Sequence, residues 1–130
     1  MMAYERLIAW RKCHELALAV YQASNSFPKN EEYGLKSQAR RAAFSAPANL
    51  AEGSARRGPG EFRRFIDIAL GSLAELSYTL RFVRDLRIID DADWRRLESL
   101  REEAGKTTWG LYVAIRDSAA RRNKKNRKQS

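Results

Sequence analysis

The stretch GEFRRFIDIALGSLAELSYTLRFVRDLRI, residues 60–88, decides the fold. Phe62, Ile66, Ala69, Leu73, Leu76, Leu80 and Val83 recur at steps of four and three, the interval that returns side chains to one face of an α-helix. A second seam of Phe65, Ile68, Ser72, Glu75, Thr79, Phe82 and Leu86 runs beside it, and Gly71, Ala74 and Tyr78 carry the weakly polar surface further round. One partner groove needs an apolar stripe of about 100°. This stripe is wider, so the helix is predicted to touch a second surface, such as another subunit. Gly71, Ala74, Glu75, Tyr78 and Phe82 are the candidate interface.

The flanking segments are helical as well. Upstream, Leu35, Ala39, Ala42, Ala46, Leu50 and Gly53 form an inner face of small side chains, which lets a neighbouring helix approach closely. Asn30 is the expected N-cap of this helix, with Glu31 and Glu32 in its first turn. Pro47 lies inside it and removes a backbone donor, so a kink is expected. A first helix is predicted from Tyr4 or Glu5 to Ser26, carried by Ala9, Cys13, Leu16, Ala17, Val20 and Ser24 and ended by Pro28. The fourth opens at DDADW with Asp90 as N-cap and runs through Trp94, Leu97, Leu100, Ala104, Leu111 and Ile115. Four helices with short connections predict an all-α, antiparallel up-down-up-down four-helix bundle over residues 1–119.

The totals agree with one helical domain. Of 130 residues, 44% are hydrophobic and 32% charged, and the seven glycines and three prolines leave few breaks. No apolar run approaches the roughly 18 residues of a membrane span. The early charges of MMAYERLIAWRKCHE do not fit a signal peptide, and the single cysteine suits a reducing compartment. A cytoplasmic protein without membrane association is expected.

The net charge of +9 is unevenly spread. Arg121, Arg122, Lys124, Lys125, Arg127 and Lys128 form one run, and residues 120–130 read as a disordered basic tail. Such a tail serves either solubility or weak polyanion binding. A second basic group lies in GSARRGPGEF, residues 53–62. Its glycine spacing imitates a phosphate-binding loop, but that loop needs Lys and Ser or Thr after its second glycine and a strand before its first. Pro59, Gly60 and a preceding helix make it a helix corner, in which Gly58 is expected to close helix two and Pro59 or Gly60 to open helix three. Arg56, Arg57, Arg63 and Arg64 crowd the corner, and Lys36, Arg40 and Arg41 lie further along helix two. Two readings stand: a solvated, salt-bridged surface, or guanidinium forks for a phosphate backbone.

Catalytic constellations are poor. His14 is the sole histidine, so no His/Cys metal cluster can be assembled within one chain, and no cofactor is expected. Cys13 and His14 point about 100° apart on a helix and do not face each other. Glu52 has Arg56 four residues on, and structural pairing is expected there and at Glu75.

The ordered pattern FPKNEEYGLKSQARRAAFSAPANLAEG followed by FRRFIDIALGSLAEL resembles the 23S rRNA intervening-sequence proteins, over roughly residues 5–118. That resemblance implies a short four-helix bundle that assembles as a ring-like homopentamer, with a binding or scaffold role and no established catalytic centre. It also implies kinship with the accessory protein of diversity-generating retroelements, which binds a reverse transcriptase and nucleic acid. The motif positions here are Gln38, Arg40, Arg41, Asn49, Glu52, Gly53, Gly71, Ser72 and Glu75. The expected function is a non-enzymatic oligomeric scaffold for RNA, contacted through Arg40, Arg41, Arg56, Arg57, Arg63, Arg64, Arg121, Arg122, Lys124 and Lys125. The alternative is a protein-interaction module, for instance a partner of a reverse transcriptase.

Overall fold

The computed structural model describes residues 1–129. A 3-10 turn, Ala3–Arg6, precedes α1 (Ile8–Ser24). A second turn, Lys29–Glu31, leads to α2 (Leu35–Ser54), followed by α3 (Pro59–Asp85) and α4 (Asp91–Gln129). Each helix packs on its neighbours in sequence and α1 packs on α4, while the diagonal pairs do not meet. That square of contacts is the up-down-up-down bundle. No strand occurs among the described residues.

The α3 seam faces the core as its spacing requires. Ile66, Ala69, Leu73, Leu76, Leu80 and Val83 are all buried, and Phe62 packs partly buried against them. From α2, Ala39, Ala42, Ala43, Ala46 and Leu50 are fully buried. Small side chains alone permit so close an approach. At Gly53 the limit is reached, because a Cβ there would lie 2.6 Å from Phe65 Cβ and 3.1 Å from Phe62 Cδ1.

Helix boundaries differ from expectation at several places: α1 ends at Ser24 rather than Ser26, and three further differences have local reasons. The first helix begins at Ile8 rather than at Tyr4 or Glu5, because Leu7 is extended (φ −83°, ψ 123°) and the Tyr4 ring turns back onto Trp10 at 4.7 Å. Asn30 is not the N-cap of α2, since it lies inside the short turn. Gly34 takes a non-helical conformation (φ −105°, ψ −108°), and the Glu31 carboxylate accepts the Leu35 N–H at 3.0 Å instead. Gly58 does not close α2, which ends at Ser54. Its φ of +85° is positive, but ψ of 153° is not left-handed helical, so it stands as the N-cap of α3. That region is essentially open to glycine alone. Pro59 follows at the first helical position, where its missing N–H costs nothing.

Asp90 caps α4 as its sequence implies, accepting the Asp93 N–H at 2.8 Å. Pro47 sits buried in the interior of α2, which runs on past it to Ser54. The segment 120–130, read from composition as a disordered tail, is helical through Gln129; Ser130 lies outside the described residues. No glycine or proline follows Gly110, and Ala, Arg and Lys favour helix. With 39 residues α4 is about 58 Å long, against about 40 Å for the 27 residues of α3. Its last turns therefore project beyond the bundle, and every residue from 120 to 129 is exposed.

The close approach at Gly53 sets a stability test. Gly53→Ala should lower stability by about 1–3 kcal/mol in denaturant unfolding, because the Phe65 backbone must yield. Gly110→Ala, where a Cβ meets nothing, should instead raise it by up to about 1 kcal/mol.

Candidate nucleic-acid interface

The predicted binding arginines separate into two groups. Arg40 and Arg41 serve the bundle. Arg40 donates to Ser24 Oγ at 2.7 Å, to the Tyr21 carbonyl at 3.0 Å and to Asn25 Oδ1 at 2.9 Å, and lies over the Tyr21 ring. It ties the C-terminal end of α1 to α2, where a cation also suits the helix dipole. Arg41 points to the other side and pairs with Glu75 of α3, which also accepts from Gln38 at 3.0 Å. Further along the same seam Ser45 and Ser72 hydrogen-bond at 2.8 Å, and Asn49 donates to Ser45 Oγ. The motif residues Gln38, Arg41, Asn49, Ser72 and Glu75 are thus one polar seam that sets the register of α2 against α3.

The second group gathers at one end of the molecule. Arg56 pairs with Glu52 at 2.7 Å, as the four-residue spacing implies. Arg56 and Arg64 lie on the Phe65 ring at 5.2 and 4.6 Å, and Arg64 also meets Glu61 at 3.3 Å. These exposed ion pairs are weak, so the guanidiniums remain available to a stronger anion. Arg57, Arg121, Arg122, Lys124 and Lys125 have no ion-pair partner among the described residues. Arg63 is half-buried, and its Nε has no hydrogen-bond acceptor.

The bundle joins what the sequence separates. The C-terminal part of α4 runs past the α2–α3 corner, and Arg122 lines a shallow cleft of about 290 Å³ with Arg56, Gly58 and Pro59. Phe62 and Ile115 form its apolar wall. Corner and C-terminal run are therefore one basic surface, with the N-terminus of α3 at its centre. The sequence holds no signal for this union, because 66 positions separate Arg56 from Arg122.

Two faces remain uncovered away from the basic end. On α3, Gly71, Ala74, Tyr78 and Phe82 are exposed and Glu75 is half-buried. The Tyr78 and Phe82 rings meet edge to face at 6.2 Å. A Cβ on Gly71 would touch nothing in this chain, so packing within the chain does not account for glycine there. The second face is an apolar groove of about 550 Å³ between α1 and α2, lined by Trp10, Leu18, Tyr21 and Phe44 among others. Sequence reasoning missed this groove, although Leu18, Tyr21 and Phe44 are among the large apolar residues left off both inner faces.

Cys13 and His14 are held in different environments. Cys13 is fully buried against Thr108 Oγ1 at 3.5 Å, and burial pushes its thiol up to about 11. His14 lies on the surface, stacked on Trp10 at 4.7 Å. Among the described residues no three His, Cys, Asp or Glu side chains converge on a metal position. No described helix is long and apolar enough to cross a membrane.

The seam and the corner lie within a stretch that known proteins share. Residues 5–110 match the family model described as 23S rRNA-intervening sequence protein. The chain belongs to that family. The match stops at residue 110, short of the roughly 118 to which the resemblance extends, and the basic end of α4 lies beyond it. Similar to it is the crystal structure of a protein of unknown function from the S23 ribosomal protein family of Bacteroides thetaiotaomicron VPI-5482. The two superpose with a TM-score of 0.73 at 19% identity, over 81% of this chain and 98% of that one, which establishes likeness of fold. No curated protein matches the chain.

The thiol provides a check on the packing. Cys13 should resist alkylation by iodoacetamide at pH 8 in the native protein and react fully in denaturant, since only the thiolate attacks. Rapid native modification would show that the α1–α4 contact opens readily.

Proposed function

We propose that this member of the 23S rRNA-intervening sequence family is a non-enzymatic, cytoplasmic, homo-oligomeric scaffold that binds RNA through the basic end of its bundle. The observation that carries this reading is the shared cleft of Arg56 and Arg122, which joins two basic groups into one surface. Guanidiniums on rigid helices fit phosphate oxygens in pairs, and the free N–H groups of the α3 N-terminus add to the same field. RNA is drawn first by counterion release and then held by that array.

Assembly follows from the uncovered faces. Gly71, Ala74, Tyr78 and Phe82 offer a surface that another copy covers, and a pentamer is the number implied by the resemblance. A ring repeats the basic end about its axis and multiplies weak phosphate contacts. The α1–α2 groove supports a second reading, in which the principal partner is a protein such as a reverse transcriptase and RNA contact is incidental.

Filter binding across a salt series tests the first reading. Arg121, Arg122, Lys124 and Lys125 changed together to Gln, and Arg56, Arg57, Arg63 and Arg64 changed together to Gln, should each weaken RNA binding. Each lost phosphate contact should flatten the log–log salt slope by about 0.7 on single strands. Because the groups form one surface, the combined variant should lose less than the sum of the two. No binding by the wild-type protein at physiological salt sinks the RNA reading and leaves the protein partner.

Light scattering tests assembly. The wild-type chain should be an oligomer at micromolar concentration. Ala74→Arg, an exposed substitution, should yield a monomer of unchanged helicity. A monomeric wild type removes the scaffold from the proposal.

A further inference from the structure

Of the three tryptophans, Trp10 and Trp94 pack against the core, whereas Trp109 stands 52% exposed on α4. Its ring is stacked on Tyr112 with centroids 5.3 Å apart and planes 11° from parallel. Tyr112 is half-buried against the core, so the stack is anchored on one side and open on the other. Packing within the chain gives no reason for a large indole at this position.

The surroundings define what such a ring fits. At 100° per residue, Arg116 and Arg127, seven and eighteen positions on, fall within about 20° of the direction of Trp109. Lys106 and Lys124 both lie about 60° to one side of that stripe, and Lys106 and Arg116 make weak, exposed ion pairs with Glu102 and Asp117. From residue 116 to 129 the helix carries seven basic residues, Arg116, Arg121, Arg122, Lys124, Lys125, Arg127 and Lys128, and one acid, Asp117. An open aromatic face in line with cationic side chains is complementary to a nucleobase whose phosphates continue along the helix. Trp109 and Arg127 lie about 27 Å apart along the axis, a span of a few nucleotides, whereas Arg122 is turned about 140° from Trp109 toward the corner cleft.

We infer that the Trp109–Tyr112 stack is a base-stacking platform, and that the nucleic acid of this surface is single-stranded RNA running from Trp109 along α4 to the basic end. The inference rests on the RNA-binding reading above and specifies its substrate class. In a duplex the base faces are occupied by their neighbours, so an indole gains little; a single strand presents them. Stacking tolerates any base and needs no counterion release, so its contribution leaves the salt slope unchanged. The basic end supplies attraction, and Trp109 supplies discrimination between strands and helices.

Anisotropy titration of the full chain against a labelled unstructured oligoribonucleotide and a labelled hairpin tests this. Trp109→Leu should weaken single-strand binding about 5- to 100-fold, with an unchanged salt slope and little effect on the hairpin. Trp109→Phe, which keeps a π face, should recover most of the affinity. Equal loss on both RNAs, or no loss on either, overturns the platform while leaving the basic end as an RNA surface. Sedimentation of the same variants gives the remaining outcome: if Trp109→Leu dissociates the oligomer, the ring faces another copy and the inference fails. A wild-type protein that binds neither RNA removes the RNA-binding reading itself, and the platform with it.

Discussion

The close packing of α2 on α3 is the constraint from which the rest of the molecule follows. Ala39, Ala42, Ala43 and Ala46 bring the backbones near, and Gly53 meets Phe65 where no Cβ fits. Nearness makes the outer edge of this contact polar, since short side chains cannot cover it. Ser45 reaches Ser72, and Gln38 and Arg41 reach Glu75. Dispersion contacts give this pair its strength, while the hydrogen bonds fix which turn faces which. The corner inherits its shape from the same contact. With both helices held tightly to their ends, four residues must reverse the chain, and Gly58 takes a conformation that other residues avoid.

The corner's position creates the basic surface. α4 must return alongside α3 and α1, and being the longest helix it passes the corner and continues outward. Arg122 then lies by Arg56 because of helix length and bundle topology, without any bond between them. Cations gathered this way raise the local potential more than the same number spread over the surface. The family match ends at residue 110, so the corner arginines lie within it and the basic run of α4 beyond it.

The uncovered aromatic residues belong to the same logic. A four-helix bundle buries one stripe of each helix, and α3 is apolar over a wider arc than one stripe. Tyr78 and Phe82 therefore remain outside, as do Phe44 on α2 and Trp109 on α4. These positions lie on different sides of the bundle, and a protein presenting several such faces has surface for more than one contact.

Periodicity determined the bundle. The repeat from Phe62 to Val83, the alanine face of α2 and the cap at Asp90 are local facts about spacing and side-chain size, and each is legible without a fold. The Glu52–Arg56 pair is legible for the same reason, since one helix sets its geometry. Other features were open to tertiary structure alone. Arg40 and Arg41 read alike in sequence, yet one is spent on α1 and the other on α3, because adjacent helical residues point to different neighbours. Glu31 displaced Asn30 as the effective cap because Gly34 interrupts the backbone, and a side chain had to reach across the break. Corner and C-terminal helix became one surface only when antiparallel packing laid α4 across the end of α2 and α3. Spacing along one helix is written in the chain, whereas proximity between helices depends on how far each extends and which faces they bury.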